Sequence, residues 1–255
     1  FCSLKRAAQV EAAEVDLVRA FGEAAGRLRP GTVESEAVGP HGIALFAGEH
    51  SPLNKITGVG FGSLDPRGMD RAERLFANAG APSRAEVPTM TDPDTLTELH
   101  RRGYRLVAFE NVFGRTLDQV PSIDPGVELQ VSRATSADAG PWIDVLADGF
   151  LAPDGQGVES IDTFSRELIR TALGSMAETS GVERYLVRRG DTVLAGGTMR
   201  QMGGVAMLAA PQPEPNTAAK VRARRKMCAI FNHAVMIHTC SCVDDAAPPK
   251  ACKGA

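Results

Sequence analysis

Long apolar runs, an excess of charge of either sign, and paired cysteines are all missing from this chain. Its longest apolar stretches, such as Val205–Ala210, fall far short of the roughly 20 residues that a membrane-spanning helix needs. The net charge is -3 with a pI near 6.0. Nothing therefore draws the whole chain toward nucleic acid or an anionic membrane, and any polyanion site has to be local. Of the five cysteines only Cys2 precedes Cys228, a usage that fits a reducing cytoplasm rather than a disulfide scaffold. Phe1-Cys2-Ser3-Leu4-Lys5-Arg6 runs straight into charged helical sequence without the apolar core of a secretory signal. With no initiator Met at position 1, a fragment or a processed product is expected. The expected location is the cytoplasm.

Catalytic patterns are equally scarce. No Ser/His/Asp or Cys/His set has a supporting motif, and His41 and His50 fall in loops without evident partners. His233, His238, Cys240, Cys242, Asp244 and Cys252 supply zinc-type donors, but the usual Cys-x-x-Cys spacing is absent and no metal site is expected. Lys220–Lys226 is basic but lacks the interleaved aromatics of a nucleic-acid platform. Gly60-Phe61-Gly62 reads as a turn before a capped helix rather than as a phosphate loop. His100, Arg101 and Arg102 suit a helix C-terminus, where the dipole favours positive charge. Glu110, in an apolar strand, reads as a partly solvated residue rather than a buried base.

What remains is an ordinary globular composition, 43% apolar and 23% charged, with enough length for one large domain or two small ones. Val10, Ala13, Leu17, Phe21, Ala24 and Leu28 recur at helical spacing and predict an amphipathic helix over 6–28. Strands are predicted at Gly42–Ala47 and Ile56–Phe61. Asp65-Pro66 and Asp92-Pro93 are cap-plus-proline starts of two helices that stop at Gly80 and Gly103. Tyr104–Val112 reads as a strand and Leu117–Gly126 as a linker. Beyond it the pattern restarts: a strand to Arg133, helices over 136–148 and 160–178, a hairpin turning at Arg189-Gly190-Asp191, and a strand Val205–Ala209 entered through Gly203-Gly204.

Ser51-Pro52-Leu53-Asn54-Lys55, Arg102-Gly103-Tyr104 with Phe109-Glu110-Asn111-Val112, Gly149-Phe150 and Gly204-Val205-Ala206-Met207-Leu208-Ala209 stand in an order and spacing that resemble the GNAT superfamily of acyl-CoA-dependent N-acyltransferases. The resemblance is to bacterial members in which a degenerate GNAT-like half precedes the catalytic one, and it spans about residues 6–209. It implies an α/β (α+β) fold with a mixed sheet flanked by helices. The two tandem halves would be 1–116 and 127–210, the second incomplete, joined by a linker at 117–126 and followed by an atypical tail without regular structure over 211–255. It also implies acetyl-CoA as co-substrate, held by main-chain groups of Met207, Leu208 and Ala209, and an amine as acceptor. No catalytic side chain is named by it. The tyrosine donor that many relatives carry beyond this strand has no counterpart, since no tyrosine follows Tyr185. Oligomeric state and acceptor are not legible.

The chain departs from the family at one place. The strand should lead into a loop of the form Gln/Arg-x-x-Gly-x-Gly/Ala, whose backbone N–H groups hold the pyrophosphate. Here the sequence is Pro-Gln-Pro-Glu-Pro and then Asn216-Thr217-Ala218-Ala219-Lys220-Val221. When the last base of each codon is joined to the first two of the next from Ala209 onward, permitted codons spell Gly-Ala-Ala-Thr, two open positions, and Glu-His-Arg-Arg-Lys-Gly. That string is close to the family's, so a frameshift near codon 209 is the expected cause. The function implied is N-acetyl transfer, impaired in this chain. A non-catalytic binding protein and an inactive product of a frameshifted gene are the alternatives.

Overall fold

The computed structural model describes residues 3–109, 112, 129–151, 163–209 and 240–244. The chain begins with α1 (Leu4–Leu28), whose N-cap Ser3 accepts from the Arg6 amide. It is buried more widely than a single stripe. Phe21 is fully buried, Val10 and Leu17 are half-buried, Leu28 is exposed, and Val15, Val18 and Ala25 join the core. The cause is that α1 is packed from two directions, by the strand β2 (Gly42–Phe46) and by the helix α5 (Arg166–Ala177).

The first sheet has six strands: β1 (Glu34–Val38), β2, β3 (Lys55–Thr57), β4 (Arg84–Val87), β10 (Cys240–Asp244) and β5 (Tyr104–Ala108), in that spatial order. β1 and β4 were not expected. β1 is an edge strand with little burial and β4 has only four residues, so neither shows an alternation long enough to read. The strand expected over Ile56–Phe61 ends at Thr57, where Gly58 turns the chain with φ +80°. β5 ends at Ala108, short of the expected Val112. The capped helices are as read: α2 (Pro66–Asn78) and α3 (Pro93–Arg101) start behind Asp65 and Asp92, which each accept from an amide of the first turn.

Within the stretch expected to lack regular structure, Cys240–Asp244 forms a strand, antiparallel to both β4 and β5. β4 and β5 are separated by a gap one strand wide, and their facing backbone groups require a partner. The rest of 211–255, the linker 117–126 and Glu110 lie outside the described residues.

The second sheet follows the expected element order. β6 (Gln130–Arg133), α4 (Ala139–Leu151) and α5 precede β7 (Val182–Arg189), β8 (Thr192–Met202) and β9 (Val205–Ala209), and the strands lie in the order β6-β7-β8-β9, all antiparallel. α5 begins at Arg166, capped by Ser165, rather than at residue 160. One face of this sheet is covered by α4 and α5 around Trp142, Leu146, Ile169, Leu173 and Leu186. The other carries Val131, Tyr185, Val187, Leu194, Met199 and Leu208. No helix of the described residues is long and apolar enough to cross a membrane.

Candidate functional site

β9 is held in place by its hairpin. Gly203 and Gly204 take φ +56° and +77°, the left-handed pair that a two-residue hairpin turn demands and that a residue with a Cβ resists. The register Met202↔Val205 through Thr198↔Ala209 follows from that turn. Met207 stands opposite Arg200 and is buried on the helix-covered face. Leu208 stands opposite Met199 on the other face, and Ala209 is exposed. The three residues expected to line a cofactor groove thus share a strand, but their side chains point to both faces and only their main chain presents a common edge. Among the described residues no strand lies beyond β9, so that edge is the end of the sheet. The Ala209 carbonyl also accepts from the Thr198 hydroxyl at 3.3 Å.

The helix α1 braces the same hairpin. Arg200 pairs with Asp16 at 2.5 Å, while its Nε donates to the Ser180 carbonyl at 3.1 Å. Arg27 donates to the Glu178 carbonyl at 3.3 Å, and Met176 of α5 packs against the α1 core cluster. The first unit therefore positions the second through α1.

The strand–loop–helix of the first sheet, β3 to α2, does not make a phosphate site. The Asp65 carboxylate occupies the α2 N-terminus, accepting from the Arg67 and Gly39 amides at 3.1 and 3.3 Å. Hydrogen bonding from backbone amides, that of Gly68 foremost, holds its pKa below the usual range. An anion arriving there meets a fixed negative charge. A Cβ on Gly60 would lie 2.3 Å from the Pro88 ring, so this glycine serves close packing. Beside β3 and β4, Lys55 is buried between Glu14 and Glu86, at 2.6 and 2.9 Å. Burial by itself would lower the Lys55 pKa, but the two carboxylates outweigh it and hold the ammonium charged. Glu11 accepts from the Gly60 amide at 2.8 Å, and burial raises its pKa.

Arg102, at the end of α3, is a structural clamp. It reaches Asp70, Glu73 and Glu98 at 2.8, 3.0 and 2.7 Å and ties α2 to α3. His41 is exposed, and the exposed His50 pairs with its neighbour Glu49 at 3.3 Å. On the second sheet, Tyr185 donates to Glu183 at 2.5 Å and Glu183 pairs with Arg133 at 3.1 Å. Burial and the adjacent carboxylate push the Tyr185 phenol up to about 12. Among the described residues no group of three or more His, Cys, Asp or Glu side chains is placed to hold a metal ion.

One feature escaped sequence reading. Arg184 of β7 lies over the Trp142 ring, 5.9 Å from its centroid, and its buried Nη1 has no hydrogen-bond partner among the described residues. Trp142 is itself fixed by its Nε1 donating to the Gly197 carbonyl at 3.2 Å. The pairing spans 42 residues of sequence, from α4 to β7, and no local motif announces it.

A scan against protein-family models and a search of the curated proteins both return no match. Solved structures do match. A GCN5-related N-acetyltransferase from Kribbella flavida aligns over 90% of this chain and 95% of its own at 14% identity, with a TM-score of 0.54. Another from Sphaerobacter thermophilus aligns over 92% and 91% at 12% identity and a TM-score of 0.45. A tandem GNAT protein from the clavulanic acid biosynthesis pathway aligns over 95% and 96% at 8% identity and a TM-score of 0.47. The first of these carries the conclusion: the chain has the fold of the GCN5-related N-acetyltransferases.

Proposed function

We propose that this chain derives from a cytoplasmic acetyl-CoA-dependent N-acetyltransferase that acts on a small-molecule or peptide amine, and that it has lost the loop that holds the co-substrate's pyrophosphate. The observation that carries the reading is β9: a short strand, braced by α1, whose outer edge ends the sheet among the described residues. Such an edge offers unpaired main-chain N–H and C=O groups to an extended ligand, the mode by which a pantetheine arm adds to a sheet. Met207, Leu208 and Ala209 would supply that edge. An amine held at the end of the strand would attack the thioester carbonyl, losing its proton as the thiolate leaves. The residues beyond Ala209 do not fit the pyrophosphate. Three prolines at 211, 213 and 215 remove the donors that an anion nest requires.

The prolines that stand in place of the loop favour a second reading for the chain as it stands, a product of a frameshifted gene without transfer activity. In this account 1–116 is the degenerate half, 127–210 the front of the catalytic half, and 211–255 out of frame. The nucleotide sequence across codons 205–225 tests the frame directly. The edge assignment is tested by hydrogen exchange on a version rebuilt in the alternative frame. Acetyl-CoA should slow exchange of the β9 amides there more than those of β6; equal or no protection at β9 contradicts the assignment.

A further inference from the structure

Among the described residues the first sheet ends at β1, and the space beside that edge is open. α1 packs over β2, whose Ile43 and Leu45 join the α1 core cluster. A Cβ on Gly22 would lie 2.8 Å from a Leu45 methyl, so helix and strand are in close contact there. Ser35 and Ala37 of β1 stand opposite Leu45 and Ile43, on the same face, and both are exposed. These small side chains do not fill the space beside the helix, and a groove of about 340 Å³ is left between them and Gly22 and Gly26. The charged residues that line it are Arg19, Glu23, Glu34 and Glu36, and the carboxylates outnumber the guanidinium. Glu36 is answered by Arg71 at 3.3 Å; Glu23 and Glu34 are exposed to water.

The edge beside this groove has main-chain groups to offer. The Ala37 carbonyl accepts from the Arg71 side chain at 3.1 Å, outside the β1–β2 ladder. In an antiparallel pair the N–H and C=O of one residue point to the same side, and alternate residues repeat that direction. The Ala37 amide and both main-chain groups of Ser35 therefore face the open edge. We propose that this edge and its groove are a docking site for an extended peptide of alternating basic and apolar residues, which adds a strand to β1. Charge favours this occupant over a second copy of the chain. In the two antiparallel self-pairings of β1 with the greatest overlap, Glu34 stands opposite Glu36 or Glu36 opposite Glu36, and like charges so placed are destabilising. A lysine or arginine in those places meets the carboxylates instead. The residues between them share the face of Ser35 and Ala37, so their apolar side chains enter the groove. The surface belongs to the first unit, and its occupation needs no acyl transfer.

The probe is a fluorescein-labelled Lys-Val-Lys-Val-Lys amide, titrated into the full chain at physiological ionic strength without acetyl-CoA and followed by anisotropy. Saturable binding is expected, with slowed hydrogen exchange at the Ser35 and Ala37 amides. Two controls separate its parts. A Glu-Val-Glu-Val-Glu amide reverses the charge, and the lysine peptide N-methylated at both valines keeps the charge but cannot pair with β1. Each should bind about tenfold more weakly or worse. A Cβ on Gly26 would lie 4.0 Å from its nearest neighbour, that of Val33, so Gly26→Leu fills the groove without a clash. It should abolish binding and melt no lower than the parent, since glycine inside a helix is itself unfavourable. Glu34→Lys, at an exposed position, should weaken binding about tenfold. If Gly26→Leu melts early, Glu34→Lys decides: a weakened response supports the site and an unchanged one overturns it. No binding, equal binding of the acidic or the N-methylated peptide, or binding that survives Gly26→Leu in folded protein also overturns it. So does a dimer in sedimentation velocity whose β1 amides are protected without peptide, which would make a second copy the occupant. With no acetyl-CoA present, such a failure leaves the acyl-transfer reading standing, and a failure of acetyl-CoA to bind leaves this one standing.

Discussion

Replacing Phe21 by alanine should remove a large part of the stability of the chain and should be felt on both sides of α1. The ring is fully buried, packed among Val15, Val18, Ala25, Ile43, Leu45 and Ala47, with Met176 of α5 against the same cluster. Transfer of such a side chain out of water is worth about 1.5–3 kcal/mol. The cavity left by truncation brings the cost of a Phe→Ala change to about 3–5 kcal/mol, against a total of roughly 5–15 kcal/mol for a typical protein. With a urea dependence near 2.5 kcal/mol per M, the midpoint should fall by roughly 1–2 M. Far-UV circular dichroism follows the whole chain, and Trp142 emission follows the second sheet alone. Since Met176, Arg27–Glu178 and Asp16–Arg200 couple the two, the tryptophan transition should move with the first. Leu28→Ala, at an exposed position of the same helix, should change stability by less than about 0.5 kcal/mol. A Phe21→Ala midpoint within about 0.3 M of the parent would refute the packing argument. A shift in circular dichroism with an unmoved tryptophan transition would refute the coupling.

Lys55→Met should destabilise by about 3–5 kcal/mol, because it strands the Glu14 and Glu86 carboxylates in a buried site. Urea denaturation checks it, and a loss below about 1 kcal/mol would mean that the pair is effectively solvated. Glu98 is held down to about 2 by Arg101 first and Arg102 after it, against 4.5 in an unfolded chain. A depressed carboxylate contributes stability above its unfolded pKa and loses it as the pH falls through the folded one. Stability should therefore decline between pH 4.5 and about 2, and Arg102→Ala should flatten that decline in acid melting curves.

The helices and hairpins were legible because their determinants are local. Asp65-Pro66 and Asp92-Pro93 cap and start a helix within two residues, and Gly203-Gly204 fixes a turn whatever packs around it. β1 and β4 were not legible: Glu34–Val38 is an exposed edge and Arg84–Val87 too short for a period to register. β10 joins residues more than a hundred positions from its neighbours, and no window of sequence contains both. The candidate site divides in the same way. The run Val205–Ala209 could be read as a strand, yet its bracing through Arg200 and Asp16 could not. The Arg184–Trp142 stack and the Glu14–Lys55–Glu86 set were hidden because ion pairing and its absence are properties of tertiary neighbours.

Isothermal titration with acetyl-CoA tests the central claim most directly, on the chain as it stands and on a version rebuilt in the alternative frame from codon 209. Several charge-assisted hydrogen bonds to the pyrophosphate, at about 1.5–3 kcal/mol each, are missing from the first and restored in the second. The account predicts no measurable binding, or binding weaker by orders of magnitude, for the present chain, and binding for the rebuilt one. Micromolar binding by the present chain would contradict the loss of the loop, and no binding by a folded rebuilt chain would contradict the acetyl-CoA reading itself.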